Sequence, residues 1–519
     1  MMTLKTIFQE INVRYRAIYA PAICTLLCSA LLAALPAFGA RSGSAGIFDV
    51  RGYGAKGDGK TLDTAAINAA IDGAALAGGG TVRFPAGSYL STSIHLKSGV
   101  TLDIGPGATI IAAAPGKDIA YDAAEDTPEA GNYEDFGHRH WHNSLIWGEN
   151  LHDIAIIGSG RIWGRDLARD EVKDETGVGN KSIALKLCRN VILRDFTIEH
   201  GGWFGILATG VDNLTIDNLK IDTNRDGMDI DCCRSVRVSN CSVNSPYDDG
   251  ICLKSSYGLG FARATENVTI DSCQVSGYKE GTFLDGTYAR GQRGGTGRIK
   301  FGTEANGGFK NITVSNCVFD FCCGLALEEV DGGNLENVAI SNITMRDIAN
   351  APIFIRLGGR LRGPAGTAMS VLRRVSISHV IVHNADTNSA AIIAGVPDGH
   401  IEDISLDDIH IWFKGGGTAA QAAITPPEDE KGYPEPDRLG KMPAYGFYIR
   451  HVHGITMHDI QLRTLSQEQR PAFLLDDVTD ARFNDVDAAH DPDAEIFTFK
   501  DAARVRWSQV LGLPDGERK

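Results

Sequence analysis

Asn190-Val-Ile-Leu-Arg-Asp-Phe-Thr-Ile-Glu199, Asn213-Leu-Thr-Ile-Asp-Asn-Leu-Lys-Ile-Asp222 and Ser235-Val-Arg-Val-Ser-Asn-Cys-Ser-Val-Asn244 are one phrase written three times. Each opens on a turn-prone residue and runs into a strand whose apolar residues alternate. A second turn residue follows, then a shorter alternating strand. The openings are 23 and 22 residues apart. They return as Asn267-Val-Thr-Ile, Asn311-Ile-Thr-Val, Asn337-Val-Ala-Ile, Arg374-Val-Ser-Ile, Asp403-Ile-Ser-Leu and Gly454-Ile-Thr-Met. Period-2 alternation buries one face of each strand, and Asn or Asp at the turn tolerates a left-handed backbone. A repeat of this length, made of strands without helical periodicity, predicts a parallel β-helix whose coils stack at about 4.8 Å. A β-propeller needs longer repeats with four strands each.

Outward from the repeat, the chain changes character at both ends. Phe48–Gly59 is turn-rich, and Thr64-Ala-Ala-Ile-Asn-Ala-Ala-Ile places Ile67, Ala70, Ile71 and Ala74 on one helical face, with Asp63 or Thr64 as N-cap. A solenoid exposes an open end that needs a cover, and this short helix is the expected N-terminal cap. The region 46–510 reads as one all-β domain, with residues 46–100 as its cap region. The Pro-rich, charged stretch from Pro426 to Pro443 reads as a long loop.

Residues 1–40 carry Lys5, Arg14 and Arg16, then an uncharged run to Ala40 with an apolar core at Ala22–Leu35. That order predicts a secretory signal peptide, a secreted or periplasmic protein, and no stable membrane insertion after cleavage. Nine of the 11 cysteines lie beyond it. There is no CxxC pair of the zinc type, and Cys241, Cys273 and Cys317 read as small buried apolar residues. No cofactor and no resident metal is expected. With 65 Asp+Glu against 50 Lys+Arg, the net charge is −15, which argues against nucleic acid as a partner.

Stacking turns the repeat into a site prediction. Counting seven residues on from the first residue of each second strand gives a column of Trp203, Asp226, Asp248 and Glu280, with Asp249 alongside. Crowded carboxylates raise one another's pKa. Glycoside hydrolysis needs that inequality: one protonated and one ionised carboxyl group. Asp-Gly is also a common turn pair, but Asn224-Arg-Asp-Gly-Met-Asp and Tyr247-Asp-Asp-Gly-Ile recur in successive coils. Arg298 and Lys300 point the same way along a strand, and Lys254 follows the Asp pair. Arg and Lys are suited to a sugar carboxylate. Trp203 is a candidate for stacking on a sugar ring. His138, His140 and His142, with Trp141 and Trp147, form a cluster open to metal, sugar or loop packing.

These segments resemble the polygalacturonases of glycoside hydrolase family 28 across nearly the whole chain beyond the signal. The matching segments are Asn224-Arg225-Asp226, Tyr247-Asp248-Asp249 and Arg298-Ile299-Lys300. The resemblance implies a right-handed parallel β-helix and inverting hydrolysis of α-glycosidic bonds in galacturonate-containing polysaccharide or oligosaccharide. Asp248 would be the general acid, Asp226 and Asp249 would activate water, and Arg298 and Lys300 would hold the sugar carboxylate. Lys254, Glu280, Asn224 and Trp203 complete the expected substrate contacts. The family's Gly-His-Gly is replaced by Tyr278-Lys279-Glu280-Gly281, and its Thr by Arg225. Both changes point to a specialised enzyme acting on oligosaccharides, rhamnogalacturonan or another uronate-containing polymer; exo or endo attack stays open, with long loops that could wall off one end of the groove favouring exo action. Inversion usually wants carboxyls about 6.5–9.5 Å apart, so the side chains are expected to splay. A lyase using a Lys or Arg base, with calcium on the acids, and a non-catalytic carbohydrate-binding solenoid are the alternatives.

Overall fold

The structure, a computed structural model, describes residues 46–126, 133, 136–170, 176–291 and 294–519. The expected signal segment, residues 1–40, lies outside them. Among the described residues no helix is long and apolar enough to cross a membrane.

The chain winds as a right-handed parallel β-helix with three strands per coil. One coil is Lys181–Lys186, Arg189–Arg194 and Thr197–Glu199; the next is Phe204–Thr209, Asp212–Asp217 and Lys220–Asp222. The third is Asp226–Asp231, Arg234–Ser239 and Ser242–Asn244. Each strand pairs in parallel with its counterpart one coil on: Ile183 with Ile206 and Met228, Val191 with Leu214 and Val236, Ile198 with Ile221 and Val243. The inward side chains form one continuous aliphatic core along the axis.

The turn residues do what their chemistry predicted. Asn190, Asn213, Ser235, Asn267, Asn311, Asn337, Arg374, Asp403 and Gly454 all have positive φ, between 54° and 82°. Their amides also ladder from coil to coil: Asn213 Nδ2 donates to Asn190 Oδ1 at 3.0 Å, and Asn337 Nδ2 to Asn311 Oδ1 at 3.0 Å. Cys241, Cys273 and Cys317 stack inside as buried free thiols.

The helix Thr64–Leu76 forms, and Ile67, Ala70, Ile71 and Ala74 are its buried face. Asp63 sits at its N-cap position without a side-chain cap bond. Its carboxylate instead accepts from Lys56 N at 2.7 Å and Gly57 N at 3.0 Å, tying down the turn before the helix.

The ladder that carries Phe204–Thr209, Asp226–Asp231, Ile251–Ser255 and Ile299–Ala305 differs from the alternating strands. All residues of these strands are buried. Segments 136–145 and 414–446 belong to no strand. The first packs against this ladder's outer side through His138 and Trp141, the second through Tyr433 and Glu435.

Candidate active site

Asp226 opens its strand, and Asp248 and Asp249 lie on the bend before Ile251–Ser255 in the next coil. The three present carboxylate oxygens within 4.8 Å of one another. They converge and do not splay. The pairing differs by one place from the expected column. Gly227 N donates to Asp249 O at 2.9 Å and Met228 N to Gly250 O at 3.1 Å, so Asp249 is the coil neighbour of Asp226. Phe204, not Trp203, stands beside Asp226 in the coil before.

Gly227 and Gly250 have no positive φ and make no Asp-Gly turn of the left-handed kind. They provide space. A β-carbon at Gly227 would lie 2.3 Å from Val243 Cγ1 and 2.5 Å from the Gly250 carbonyl; one at Gly205 would lie 2.5 Å from the Gly227 carbonyl. The glycine stack lets the coils close up where the acids meet.

Three equal carboxyl groups acquire unequal electrostatics. Burial pushes the Asp226 pKa well up, and Asp229 and Asp248 add to the shift. Asp248 is also raised, by burial and then by Asp249, against the pull of Arg225. Its side chain keeps 26% of its exposure, and Arg225 Nη2 lies 2.6 Å from its Oδ2. Burial alone would raise Asp249, but Lys300, Arg298 and Lys254 outweigh it and hold this carboxyl below the usual aspartate value. Arg298 Nε contacts Asp249 Oδ1 at 2.8 Å and Lys300 Nζ its Oδ2 at 3.4 Å. Two carboxyl groups whose protonated form is favoured thus adjoin one whose ionised form is favoured.

The other expected site residues fall as follows. Glu280 leaves the acid column and lies against His200 Nδ1 at 2.7 Å and Arg169 Nη2 at 2.8 Å. Trp203 carries the Arg225 guanidinium over its ring, 4.8 Å from the centroid. Asn224 contributes its carbonyl to Tyr247 N at 3.1 Å. Lys254 is buried on Glu304 at 3.1 Å and acts on the acids only through its charge. Arg298 and Lys300 are brought to the acids but are each 1% exposed, held among Asp249, Glu328 and Glu435. His138 contacts Asp229 at 3.1 Å, His142 stacks on Trp147, and Trp141 Nε1 donates to Thr209 Oγ1 at 3.0 Å. That cluster packs on the covered face.

Sequence reasoning missed Glu328, Glu435, Tyr433 and Lys181. Glu328 lies within the fully buried strand Leu325–Glu329, and an acid inside a strand with no exposed partner is a readable signal. Burial pushes its pKa up to about 8. Lys181, two coils before Asp226 in the acids' own column, is buried and bonded to Asn180 Oδ1 at 2.6 Å; burial lowers its pKa to about 7. Tyr433 and Glu435 arrive from more than a hundred residues away, with no local signal.

Comparison with known proteins agrees with this architecture. Residues 47–141 match the family model "Rhamnogalacturonase A/epimerase, pectate lyase-like", and residues 154–291 match "Right handed beta helix region". A probable polygalacturonase of Vitis vinifera is 23% identical over 404 residues, covering 72% of this chain and 75% of that one. An exo-poly-α-D-galacturonosidase of Dickeya chrysanthemi is 23% identical over 60% of this chain and 57% of its own length. Among solved structures, an exopolygalacturonase from Thermotoga maritima superposes with a TM-score of 0.58 at 17% identity, covering 80% of this chain and 91% of that one. The chain is thus similar in sequence to polygalacturonases and shares the parallel β-helix of the exopolygalacturonase structure.

Proposed function

We propose that this protein hydrolyses α-glycosidic bonds in a galacturonate-containing polysaccharide or oligosaccharide, with inversion at the anomeric carbon. One observation carries the reading: Asp226, Asp248 and Asp249 converge within 4.8 Å, two of them raised in pKa and one lowered. The Asp226–Asp248 pair shares a proton, and Asp248, its more open member, delivers it to the leaving oxygen. Asp249 stays ionised and, with Asp226 beside it, takes the proton of the attacking water.

The spacing is below the usual inverting range of about 6.5–9.5 Å and closer to that of retaining enzymes. The surroundings weigh the other way. A carboxylate nucleophile must be ionised, unpartnered and open to the sugar. Asp249 is ionised, but Arg298 and Lys300 hold its two oxygens. Asp226 is 4% exposed with its pKa pushed well up by burial, and Asp248 is needed as the acid. Elimination is disfavoured because Lys300 is held charged by Asp249 against the cost of its burial. The names of the Dickeya and Thermotoga relatives support attack from a chain end.

Galacturonan and rhamnogalacturonan oligomers incubated with the protein and followed by NMR test this. The β-anomer should appear first, as short products without a new double bond. First appearance of the α-anomer would overturn inversion, and an unsaturated product would overturn hydrolysis. Asp248→Asn should lower kcat by about 10²–10⁴ while substrate binding persists.

A further inference from the structure

Arg298 and Lys300 already hold carboxylates, and one of these comes from outside the coil repeat. The segment 414–446 runs between strands Ile401–Phe413 and Phe447–Thr464. It is pinned to the sheet through its own carbonyls. Arg450 Nη1 donates to Pro426 O at 3.0 Å, Arg356 Nη2 to Glu428 O at 2.6 Å, and Gly359 N to Glu430 O at 2.8 Å. Past these anchors, Tyr433-Pro434-Glu435 dips onto the basic pair. Thr303 Oγ1 donates to the Tyr433 hydroxyl at 2.8 Å. Arg298 grips Glu435 with both ends of its fork, Nη1 to Oε2 at 3.1 Å and Nη2 to Oε1. Lys300 Nζ lies 3.6 Å from the same Oε1.

A bidentate guanidinium fork with an ammonium alongside is the geometry that recognises a free carboxylate. Here the protein fills it from its own chain. The local charges also close. Arg298 and Lys300 face Asp249 and Glu435, both held ionised, while Glu328, raised to about 8, stays neutral near pH 7. A further carboxylate would enter a buried pocket in which, among the described residues, Arg298 and Lys300 are already matched by Asp249 and Glu435, at the desolvation cost of an unpaired ion.

We propose that Glu435 is a specificity-determining residue: it fills the carboxylate position above Arg298 and Lys300, so that the sugar ring seated there is uncharged. This rests on the reading of the cleft as a site for galacturonate-containing chains, and it makes the substrate one in which an uncharged unit sits among uronates. That unit is a neutral sugar, or a uronate whose carboxyl is esterified.

Methyl-esterified and free trigalacturonate differ in their carboxylate charges and in the small methyl groups that replace them. Calorimetric titration of each into protein carrying Asp248→Asn, which prevents turnover, separates them. The ester should bind at least about tenfold more tightly than the acid, by the unpaired-charge cost above. Adding Glu435→Gln should erase or reverse that preference by freeing the fork, whereas Glu435→Asp, which keeps the charge, should retain it. Equal affinity for acid and ester in the protein with Glu435 intact overturns the proposal without any further variant. An unchanged ratio in folded Glu435→Gln protein also overturns it. Binding of neither ligand would sink the uronate-chain reading, and this proposal with it. Tight ester binding by a protein that turns over no oligomer would sink the hydrolase reading alone.

Discussion

Asp226, Asp248 and Asp249 carry the same functional group and differ only in what surrounds it. Burial and the neighbouring carboxylates push the Asp226 pKa up against the pull of Lys254, and the Arg298–Lys300 pair holds Asp249 below the usual aspartate value. Turnover should therefore follow a bell. It is lost at low pH as Asp249 protonates below the usual aspartate value, and at high pH as the Asp226–Asp248 pair gives up its proton. The same shift has a stability sign. A carboxyl whose folded pKa exceeds its unfolded value contributes stability below the unfolded value, and that contribution falls as pH rises toward the folded one. Asp226→Asn removes this liability. Its Tm should exceed that of the wild type increasingly from about pH 4 upward, while turnover is abolished. A Tm difference that is flat with pH would contradict the raised Asp226 pKa. At this scale the sequence named three acids that the structure brings together. It misjudged their register by one place, because the bend at Asp248–Asp249 shifts the count and only the backbone hydrogen bonds reveal it.

Two kinds of strand build the coil, and they were legible to different degrees. Strands such as Asp212–Asp217 and Arg234–Ser239 alternate because their outer side meets water. The strand Asp226–Asp231 is buried on both sides, so alternation disappears from the ladder that carries the site. Its glycines are set by neighbours above and below. Gly227→Ala would place a methyl 2.3 Å from Val243 Cγ1 and 2.5 Å from the Gly250 carbonyl. The coils can separate only by breaking ladder hydrogen bonds. We expect a loss of about 1–3 kcal/mol, the usual cost of overpacking, and a larger loss of activity as Asp226 and Asp249 move apart. Urea denaturation and kcat on the same preparation check both. Full activity in Gly227→Ala would show that the acids do not depend on this close stacking.

Over the whole molecule, stability is a chain of nearest-neighbour contacts, so an uncovered end is the weak point. The helix Thr64–Leu76 packs its Ile67, Ala70, Ile71 and Ala74 face into the core at the N-terminal end. Ile71→Ala should cost about 2–5 kcal/mol and loosen the first coils before the later ones. Hydrogen exchange should then show faster opening in strands Gly80–Phe84 and Val100–Ile104 than in Phe473–Ala488. Uniform loosening along the axis would mean that the helix is no cap.

The sequence by itself determined the solenoid, its capping helix and the three acids, because each rests on short-range chemistry: alternation, left-handed turn residues, and carboxylates recurring once per coil. The tertiary structure alone decided which acid neighbours which, where Glu280 goes, and that Glu435 meets Arg298 across 137 positions of chain. Those outcomes depend on the path of irregular segments over the sheet. No local periodicity encodes that path, because it is set by where buried charges find partners.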